Sequence, residues 1–396
     1  ITADPAPIAA SFFSLTTEFV TPEQAKAFLA AVRAASPKRD LVVLADSKIR
    51  SALPDDPSTH VIDSGSHRFT PWVRDPFLLA RTGDGVVVFV DRPNIQPKRE
   101  ADALLARTIV ARIPPSLEAK WKRTRWTVAP VPFHNGHVLL TPGAAWISMH
   151  TVEIRALEIL DLGRVPVDTF RTVAGIQRYI EAVKRAAAEL ETLFGRPVRF
   201  VHPLPSGDSL EQQIQLMQVL AGGAGFDLDS LVTLLPQRDG STRALVGDVR
   251  LGSRMAKDAK LEDLQRLHRS YGFAGPASTL GKRITEAHDV PGTIGLQLFL
   301  DLVAFHLGGE RLPLLNIPYS LLADRSGLSG SQFLLTWNNV VLEEGRAEGF
   351  ASLFAPADAY ARQAFSDAGY RLELYAPLVR SVLLNGGYRC SSNHLR

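Results

Sequence analysis

The stretch NGGYRCSSNHLR (Asn385–Arg396) contains the only cysteine among the 396 residues of the chain. A lone cysteine cannot form a disulfide within its own chain, so this fold is not held together by cross-links. A free thiol is either an inert buried side chain or a nucleophile. Cys390 is bracketed by a glycine pair and by small polar residues, and the rest of the sequence has to decide between these two interpretations.

Upstream of this stretch, one structural unit recurs: two strands around a tight turn, then a helix, then a third strand. Residues 77–91 alternate as two strands around Thr82–Gly85, residues 137–149 turn at Pro142–Gly143, and residues 230–252 turn at Asp239–Gly240. Glycine and proline at these positions favour tight turns between strands. FLLTWNNVVLEEG (333–345) is predicted to be a further strand, turn and strand. Units of the same layout, without a break in composition, predict a single α/β domain over residues 1–396 with internal pseudo-symmetry.

Helical segments interrupt the repeated unit. Thr21, Pro22 and Gln24 have the order of an N-cap, a first-turn proline and a capping-box partner, which predicts the start of a helix. Residues 203–222 and 252–295 do not follow the repeat and are predicted to be helical insertions.

Composition narrows the classes of function. With 45% hydrophobic residues the chain can bury a large core, and no apolar run approaches the length of a membrane span. The net charge is +3, and the clearest basic run is KWKRTRW (Lys120–Trp126). We interpret that run as a solvated face rather than a nucleic-acid contact.

The first residue is Ile1, which indicates a processed or trimmed N-terminus and permits secretion. Oligomeric state and compartment are not predicted.

Polar residues stand at the ends of apolar strands in four places. Two of them carry acids: Asp75 follows Trp72 and Arg74, and Asp227 precedes Asp229 by the two residues that place both on one strand face. The four stretches are PWVRDPFLLA (71–80), PFHNGHVLLT (132–141), GFDLDSLVTLLP (225–236) and GGYRCSSNH (386–394).

Carboxylates, an aromatic ring and a thiol together suit a planar cation. A guanidinium group needs carboxylates that accept its in-plane N–H donors. Attack on its central carbon needs a nucleophile above that plane, which an ionised cysteine supplies. An aromatic face such as that of Trp72 covers a cation or its aliphatic stem. The sequence therefore favours a guanidinium site built from acids of these stretches and Cys390.

At these residues the sequence resembles the guanidine-modifying, or pentein, superfamily of peptidylarginine, agmatine and arginine deiminases and amidinotransferases. Trp72–Asp75 is similar to the W-x-x-D motif of that family, and Asp227–Asp229 lines up with its H-x-D/E stretch. Gly386–Asn393 looks like the terminal nucleophile motif, closest to the H-C-G-T-N form of peptidylarginine deiminases. Further similar segments are GHVLLTPG (136–143) and the region from Ile317 through FLLTWNNVVLEEG (333–345).

The resemblance implies a fold and a set of roles. The fold is an α/β propeller of five ββαβ-like modules around a pseudo-fivefold axis, with the last strand carrying the thiol into a central channel. In such enzymes the thiolate attacks the guanidinium carbon, a nitrogen group departs, and the amidino-thioether is hydrolysed or passed to an amine. Carried onto this chain, the catalytic residues are Cys390, Asp75, Asp227 and Asp229. The expected substrate contacts are Trp72, Arg74, His137 and Asn393.

One departure from the family concerns proton transfer. The family's general acid and base is a histidine in the H-x-D/E stretch, where this chain has Asp227. An aspartate can replace it only if burial or Asp229 raises its pKa. The candidates for a displaced histidine are His137, His202 and His394, and the sequence leaves the choice open.

The leading functional hypothesis is a cysteine-dependent deiminase that converts peptidyl-arginine or an arginine derivative to citrulline and ammonia. The alternatives are a protein of the same fold that binds a guanidinium ligand or partner without turnover, and an amidinotransferase. Peptide and small-molecule substrates are not distinguished. No cofactor is expected, since the sequence contains no metal-binding or phosphate-binding motif. The calcium dependence of some relatives is not carried by a motif here.

Overall fold

The computed structural model describes residues 5–65, 67–93, 99–162, 172–201, 227–289, 291–328 and 331–396. His202 and the insertion predicted over 203–222 lie outside these residues. Within them the fold is mixed α/β. The strands are β1 Ala10–Leu15, β2 Asp40–Ala45, β3 Thr59–Asp63, β4 Phe77–Arg81, β5 Val87–Asp91, β6 Thr124–Val128, β7 Val138–Leu140, β8 Ala145–Ile147, β9 Val198–Phe200, β10 Val232–Pro236, β11 Thr242–Asp248, β12 Glu310–Pro318, β13 Gln332–Thr336, β14 Val341–Glu343, β15 Arg346–Phe350, β16 Arg371–Tyr375 and β17 Asn393–Leu395.

The first helix begins where the sequence has a capping signal. Thr21 caps the first helix with the reciprocal hydrogen bonds of a capping box, as predicted. No single helix of the described residues is long and apolar enough to cross a membrane, although one bent helix pair passes that test by length and composition. The helices are α1 Pro22–Ala35, α2 Ser47–Ala52, α3 Leu105–Arg112, α4 Pro115–Lys120, α5 Met149–Ile159, α6 Val173–Phe194, α7 Val249–Lys257, α8 Leu261–Tyr271, α9 Leu280–His288, α10 Pro291–Leu307, α11 Ala355–Asp367 and α12 Val379–Leu383.

The described strands form sheets that share one pairing pattern. The strand orders are β17-β1-β2-β3, β4-β5-β6, β7-β8-β9, β10-β11-β12-β13 and β14-β15-β16. In each sheet an antiparallel pair is followed by a parallel strand, as in β4–β5 and β5–β6. Parallel neighbours need a crossover, and a helix supplies it in every case, for example α11 between β15 and β16. The recurring unit predicted from the sequence is therefore present, while its arrangement around a fivefold axis stays a prediction.

The first sheet joins the two extremes of the sequence. β17 pairs with β1 in antiparallel register, with Ala10 opposite Leu395 and Phe12 opposite Asn393. The loop that precedes β17 carries Cys390. This pairing therefore fixes the position of the thiol relative to the first sheet.

One predicted strand pair is wrong. The stretch FLLTWNNVVLEEG was interpreted as two strands around a turn, but β13 pairs with β12 and β14 pairs with β15 in another sheet. The chain changes sheets at Trp337, whose ring is buried and whose Nε1 donates to Asp358 Oδ1 at 2.8 Å. Asn338 and Asn339 follow at this crossing. A polar pair therefore lies in the interior between two sheets.

A buried ionic contact links the first sheet to the last one. Arg39 donates to both carboxylate oxygens of Glu348, at 2.7 and 2.8 Å, and both side chains are almost fully buried. Tyr388 donates its hydroxyl proton to the same carboxylate at 2.9 Å, and its ring packs against Phe350 and Tyr375. Two paired donors and an aromatic cluster thus hold the chain two residues before Cys390.

Candidate active site

Cys390 lies on the loop between α12 and β17, and not on the last strand itself. The loop turns back on itself: Ser391 N donates to the carbonyl oxygen of Gly387 at 3.1 Å, and Ser392 Oγ donates to that of Tyr388 at 2.8 Å. The thiol is 2% exposed. Its burial alone fits an inert cysteine, so the polar atoms around it decide how it is interpreted.

Asn339 holds the cysteine at two points. Its Nδ2 donates to Cys390 Sγ at 3.1 Å, and its Oδ1 accepts from the backbone N–H of Cys390 at 3.1 Å. The same Nδ2 also donates to Asp229 Oδ1 at 3.0 Å. A methyl group on Gly387 would overlap the amide of Asn339. The glycine is therefore needed for this close approach.

Asp229 is the carboxylate beside the thiol. Its oxygens lie 3.9 and 4.0 Å from Cys390 Sγ, and Arg389 Nε lies 3.4 Å from Oδ2. Burial and the neighbouring Asp227 raise the pKa of Asp229 above its usual range. Burial also raises the pKa of the Cys390 thiol, Asp229 and Asp75 raise it further, and the hydrogen bond from Asn339 opposes them. The resting thiol is therefore protonated at neutral pH.

The spacing of Asp227 and Asp229 predicted that they share a strand face, and this prediction is wrong. Asp227 precedes a short 3-10 turn, Leu228–Ser230, and β10 begins only at Val232. In a 3-10 turn, residues two apart point in different directions rather than to one face. The two acids consequently face different partners: Asp229 faces the thiol, and Asp227 faces two histidines.

Those histidines come from the loop before β7. Asp227 Oδ1 lies 3.3 Å from His134 Nδ1 and 3.3 Å from His137 Nε2. We call these three residues the histidine cluster. Burial lowers the pKa of His134. Burial raises the pKa of Asp227, but the neighbouring His134 and the hydrogen bond from His137 outweigh it and hold that pKa below its usual range. An ionised aspartate next to imidazoles is an arrangement that can hold and move a proton.

Asp75 and Trp72 contact a guanidinium that belongs to the chain itself. Arg99 Nη1 donates to Asp75 Oδ2 at 2.7 Å, and Arg99 Nε donates to Asp102 Oδ2 at 2.8 Å. Its Nη2 donates to Thr70 Oγ1 at 3.1 Å, and its central carbon lies 4.8 Å from the centroid of the Trp72 ring. We call Asp75, Asp102, Thr70 and Trp72 the guanidinium cage. The contacts predicted for a substrate are thus made by an internal arginine.

Removal of Arg99 from the guanidinium cage should destabilise the protein, and a free guanidinium ion should reverse part of that effect. We expect Arg99→Ala to lower the free energy of unfolding by about 3–5 kcal/mol, because two buried carboxylates lose their counter-ion. Millimolar ethylguanidinium should restore part of that loss by occupying the emptied cage, as measured by urea unfolding.

A matched control is Arg250→Ala, which removes an exposed arginine paired with Asp301 at 2.7 Å. It should cost less than about 1 kcal/mol and gain nothing from ethylguanidinium. Equal rescue of both variants would contradict a guanidinium-specific cage.

The remaining predicted residues have mainly backbone and structural contacts. Arg74 N donates to the carbonyl oxygen of Cys390 at 3.3 Å, which places the Trp72–Asp75 segment beside the cysteine loop. Asn393 Nδ2 donates to the carbonyl oxygen of Phe77 at 2.8 Å, so its amide binds the neighbouring strand β4. His394 bonds through one ring nitrogen to Ser11 and through the other to Ser392. His394 therefore joins β1 to the cysteine loop.

The sequence analysis missed several residues of the site. Among them, Asn339, Arg99 and Arg389 all contact a predicted residue. For Asn339 there was a signal, because an Asn-Asn pair interrupts an otherwise apolar stretch. Arg99 gave none, since its contact with Asp75 spans 24 positions and follows no periodicity.

The fold is similar to that of solved agmatine deiminases, and the resemblance to the guanidine-modifying, or pentein, superfamily stated from the sequence is confirmed at the level of the fold. C. jejuni agmatine deiminase matches with a TM-score of 0.58 at 12% identity, over 99% of this chain and 94% of its own. Agmatine deiminase of Enterococcus faecalis matches with a TM-score of 0.52 at 13% identity, over 99% of this chain and 95% of its own. No protein-family model and no curated protein sequence match the chain. At such identities the likeness shows the fold, and function has to be argued from the site.

Proposed function

We propose that this protein is a guanidine-modifying hydrolase, a deiminase in which Cys390 is the nucleophile. The observation that carries the proposal is the position of Cys390 Sγ, 3.9 Å from the Asp229 carboxylate and hydrogen-bonded by Asn339. An inert buried thiol needs apolar neighbours, and this one has a carboxylate and an amide instead. The fold match to agmatine deiminases supports the same conclusion. We also propose that the sheets surround a common axis with this site at its centre.

Asp75 and Asp229 would bind the substrate guanidinium. Asp75 Oδ2 is engaged by Arg99, but Asp75 Oδ1 is buried and makes no hydrogen bond within the described part of the chain. Asp75 therefore has an oxygen left for a second N–H donor. A cation bound beside the thiol lowers its pKa, so the substrate itself would activate the nucleophile.

The reaction balances with the residues present. The thiol proton passes to the histidine cluster, and Sγ bonds to the central guanidinium carbon. One C–N bond breaks, and the leaving nitrogen takes that proton and departs as ammonia. Water then adds to the amidino-thioether carbon while the cluster accepts one of its protons. The C–S bond breaks, the second water proton passes to the departing sulfur, and a urea-type product and the thiol result, while the proton on the cluster leaves to solvent. His134 and His137 thus take the role of the histidine that the sequence lacks at Asp227.

A second candidate, guanidinium binding without turnover, is favoured by two observations. Arg99 already occupies Asp75 and Trp72, and the pKa of the Cys390 thiol is raised in the resting site. In this alternative the cage is a structural feature and the thiol stays protonated. The two candidates differ in whether ammonia is released.

The test measures ammonia release from peptidyl-arginine, free arginine and agmatine, together with alkylation of Cys390. We expect ammonia from at least one substrate. A neutral reagent such as iodoacetamide should label Cys390 slowly at neutral pH and faster as the pH rises, because a raised pKa delays ionisation of the thiol. A cationic haloacetamidine should label it rapidly at neutral pH, with protection by arginine analogues.

Two outcomes would reject turnover. Ammonia release from none of the three substrates, with guanidinium binding retained, would leave the binding protein as the function. Equal labelling rates for the neutral and the cationic reagent would show that no cation site adjoins the thiol.

A further inference from the structure

The histidine cluster has three ligand atoms that converge on one point. Asp227 Oδ1 lies 3.3 Å from His134 Nδ1 and 3.3 Å from His137 Nε2, and the three atoms lie within 4.8 Å of one another. Imidazole nitrogen and carboxylate oxygen are preferred ligands of Zn²⁺. We propose that this cluster binds a divalent transition-metal ion of the Zn²⁺ class. The sequence analysis predicted no metal ligands, and the inference goes beyond the proposed function. A bound ion would occupy the ring nitrogens that carry protons in the proposed reaction, so the metal-bound cluster and the proton-transferring cluster are mutually exclusive states.

The separations of the ligand atoms also fit a tetrahedral metal site. In a tetrahedral site with bonds of about 2.0–2.1 Å, neighbouring ligand atoms lie about 3.3–3.4 Å apart. A charge-assisted N–H···O contact is shorter, at about 2.7–2.9 Å. Both contacts of Asp227 Oδ1 therefore have the length of a tetrahedral edge.

The surroundings orient the ligands as metal sites require. His137 Nδ1 lies 3.2 Å from Thr151 Oγ1, which leaves Nε2 to point at Asp227. His134 Nδ1 is buried and makes no hydrogen bond within the described residues. A methyl group on Gly136 would overlap the Asp227 carboxylate, so this glycine allows the loop to come close to the acid. Thr151 thus orients His137, and Gly136 lets the histidine loop come close to Asp227.

The charges near the cluster are compatible with a cation. The acids Asp75 and Asp229 lie near it, and the cations that oppose a metal are Arg92 and Arg99. Arg99 is compensated by Asp75 and Asp102. Three protein ligands leave the fourth tetrahedral position open, the pattern of exchangeable rather than structural sites. Asp227 also lies within 4.8 Å of the ligand atoms of Asp229 and Cys390, so the thiol is near that ion.

The experiment titrates chelator-treated, untagged protein with Zn²⁺ by calorimetry and with Co²⁺ by absorption spectroscopy. We expect one ion per chain and visible Co²⁺ bands of tetrahedral intensity, without a thiolate charge-transfer band in the near ultraviolet. His134→Ala and His137→Ala should each weaken binding at least about tenfold, and Thr151→Val should weaken it less. Cys390→Ser should bind as the wild type does.

The matched control is His60→Ala. His60 Nε2 lies 3.6 Å from Asp40 Oδ1, so this pair offers one histidine and one aspartate outside the histidine cluster. Loss of the His60 side chain should leave the affinity for the metal ion unchanged. No stoichiometric binding, or binding lost in Cys390→Ser but kept in both cluster variants, would overturn the proposal. Circular dichroism of each metal-free variant checks that it is folded. Because no turnover is measured, failure here is separate from failure of the deiminase function.

Discussion

Cys390→Ser is expected to abolish ammonia release, with a loss of activity on the order of 10³-fold or more, because a neutral hydroxyl cannot replace the attacking thiolate. The loop should keep its position, since Tyr388 and Ser392 make contacts that do not involve the sulfur, and a serine hydroxyl can still accept from Asn339 Nδ2. Substrate binding should survive, because Asp75 and Asp229 are unchanged. Ammonia release measures the first effect and calorimetry with an arginine analogue the second.

The control is Ser391→Ala, one residue further along the same loop. Ser391 Oγ lies 3.0 Å from Ser381 Oγ, so this change removes one hydrogen bond and leaves the thiol in place. It should reduce activity less than about tenfold. A serine variant of Cys390 that retains most of the turnover would show that another group attacks the substrate.

Glu348→Ala is expected to lower the free energy of unfolding by about 3–5 kcal/mol, because it leaves the guanidinium of Arg39 buried without its main counter-ion. Tyr388 loses its acceptor in the same step. The cysteine loop should loosen as a result, so iodoacetamide should label Cys390 faster than in the wild type. Urea unfolding measures the stability, and mass spectrometry measures the labelling.

Glu343→Ala is the matched control, since Glu343 also pairs with Arg39, at 3.0 Å, but its side chain is 20% exposed. Water can replace part of that contact, so the loss of stability should be clearly smaller. Equal losses of unfolding free energy for the two variants would mean that the burial of the Arg39–Glu348 pair does not increase its contribution to stability.

The sequence predicted the parts of the fold that depend on local patterns. Alternation around Thr82–Gly85 gave β4 and β5, and the capping box at Thr21 gave the start of α1. The strand pair proposed around Trp337 was wrong because the two apolar runs are neighbours in the sequence while their strands belong to different sheets. Strand pairing across sheets is set by tertiary packing, which a single sequence does not display.

The site was predicted in its residue types more than in its contacts. Cys390 and Asp229 were both expected in the site, and Cys390 Sγ lies 3.9 Å from Asp229 Oδ2. The spacing of Asp227 and Asp229 was interpreted with strand periodicity, whereas a 3-10 turn separates their directions and gives Asp227 to the histidines. Asp75 was expected to hold a substrate, and its contact with Arg99 depends on a chain path that no local pattern encodes.

The pairing of β17 with β1 also constrains how a nascent chain reaches this fold. The edge of β1 has no partner on that side until Asn393–Leu395 have left the ribosome, although its other edge can already pair with β2. An unpaired strand edge is a template for intermolecular association. During translation the first sheet is therefore exposed for longer than any other, and chaperone contact or misassembly should concentrate on β1.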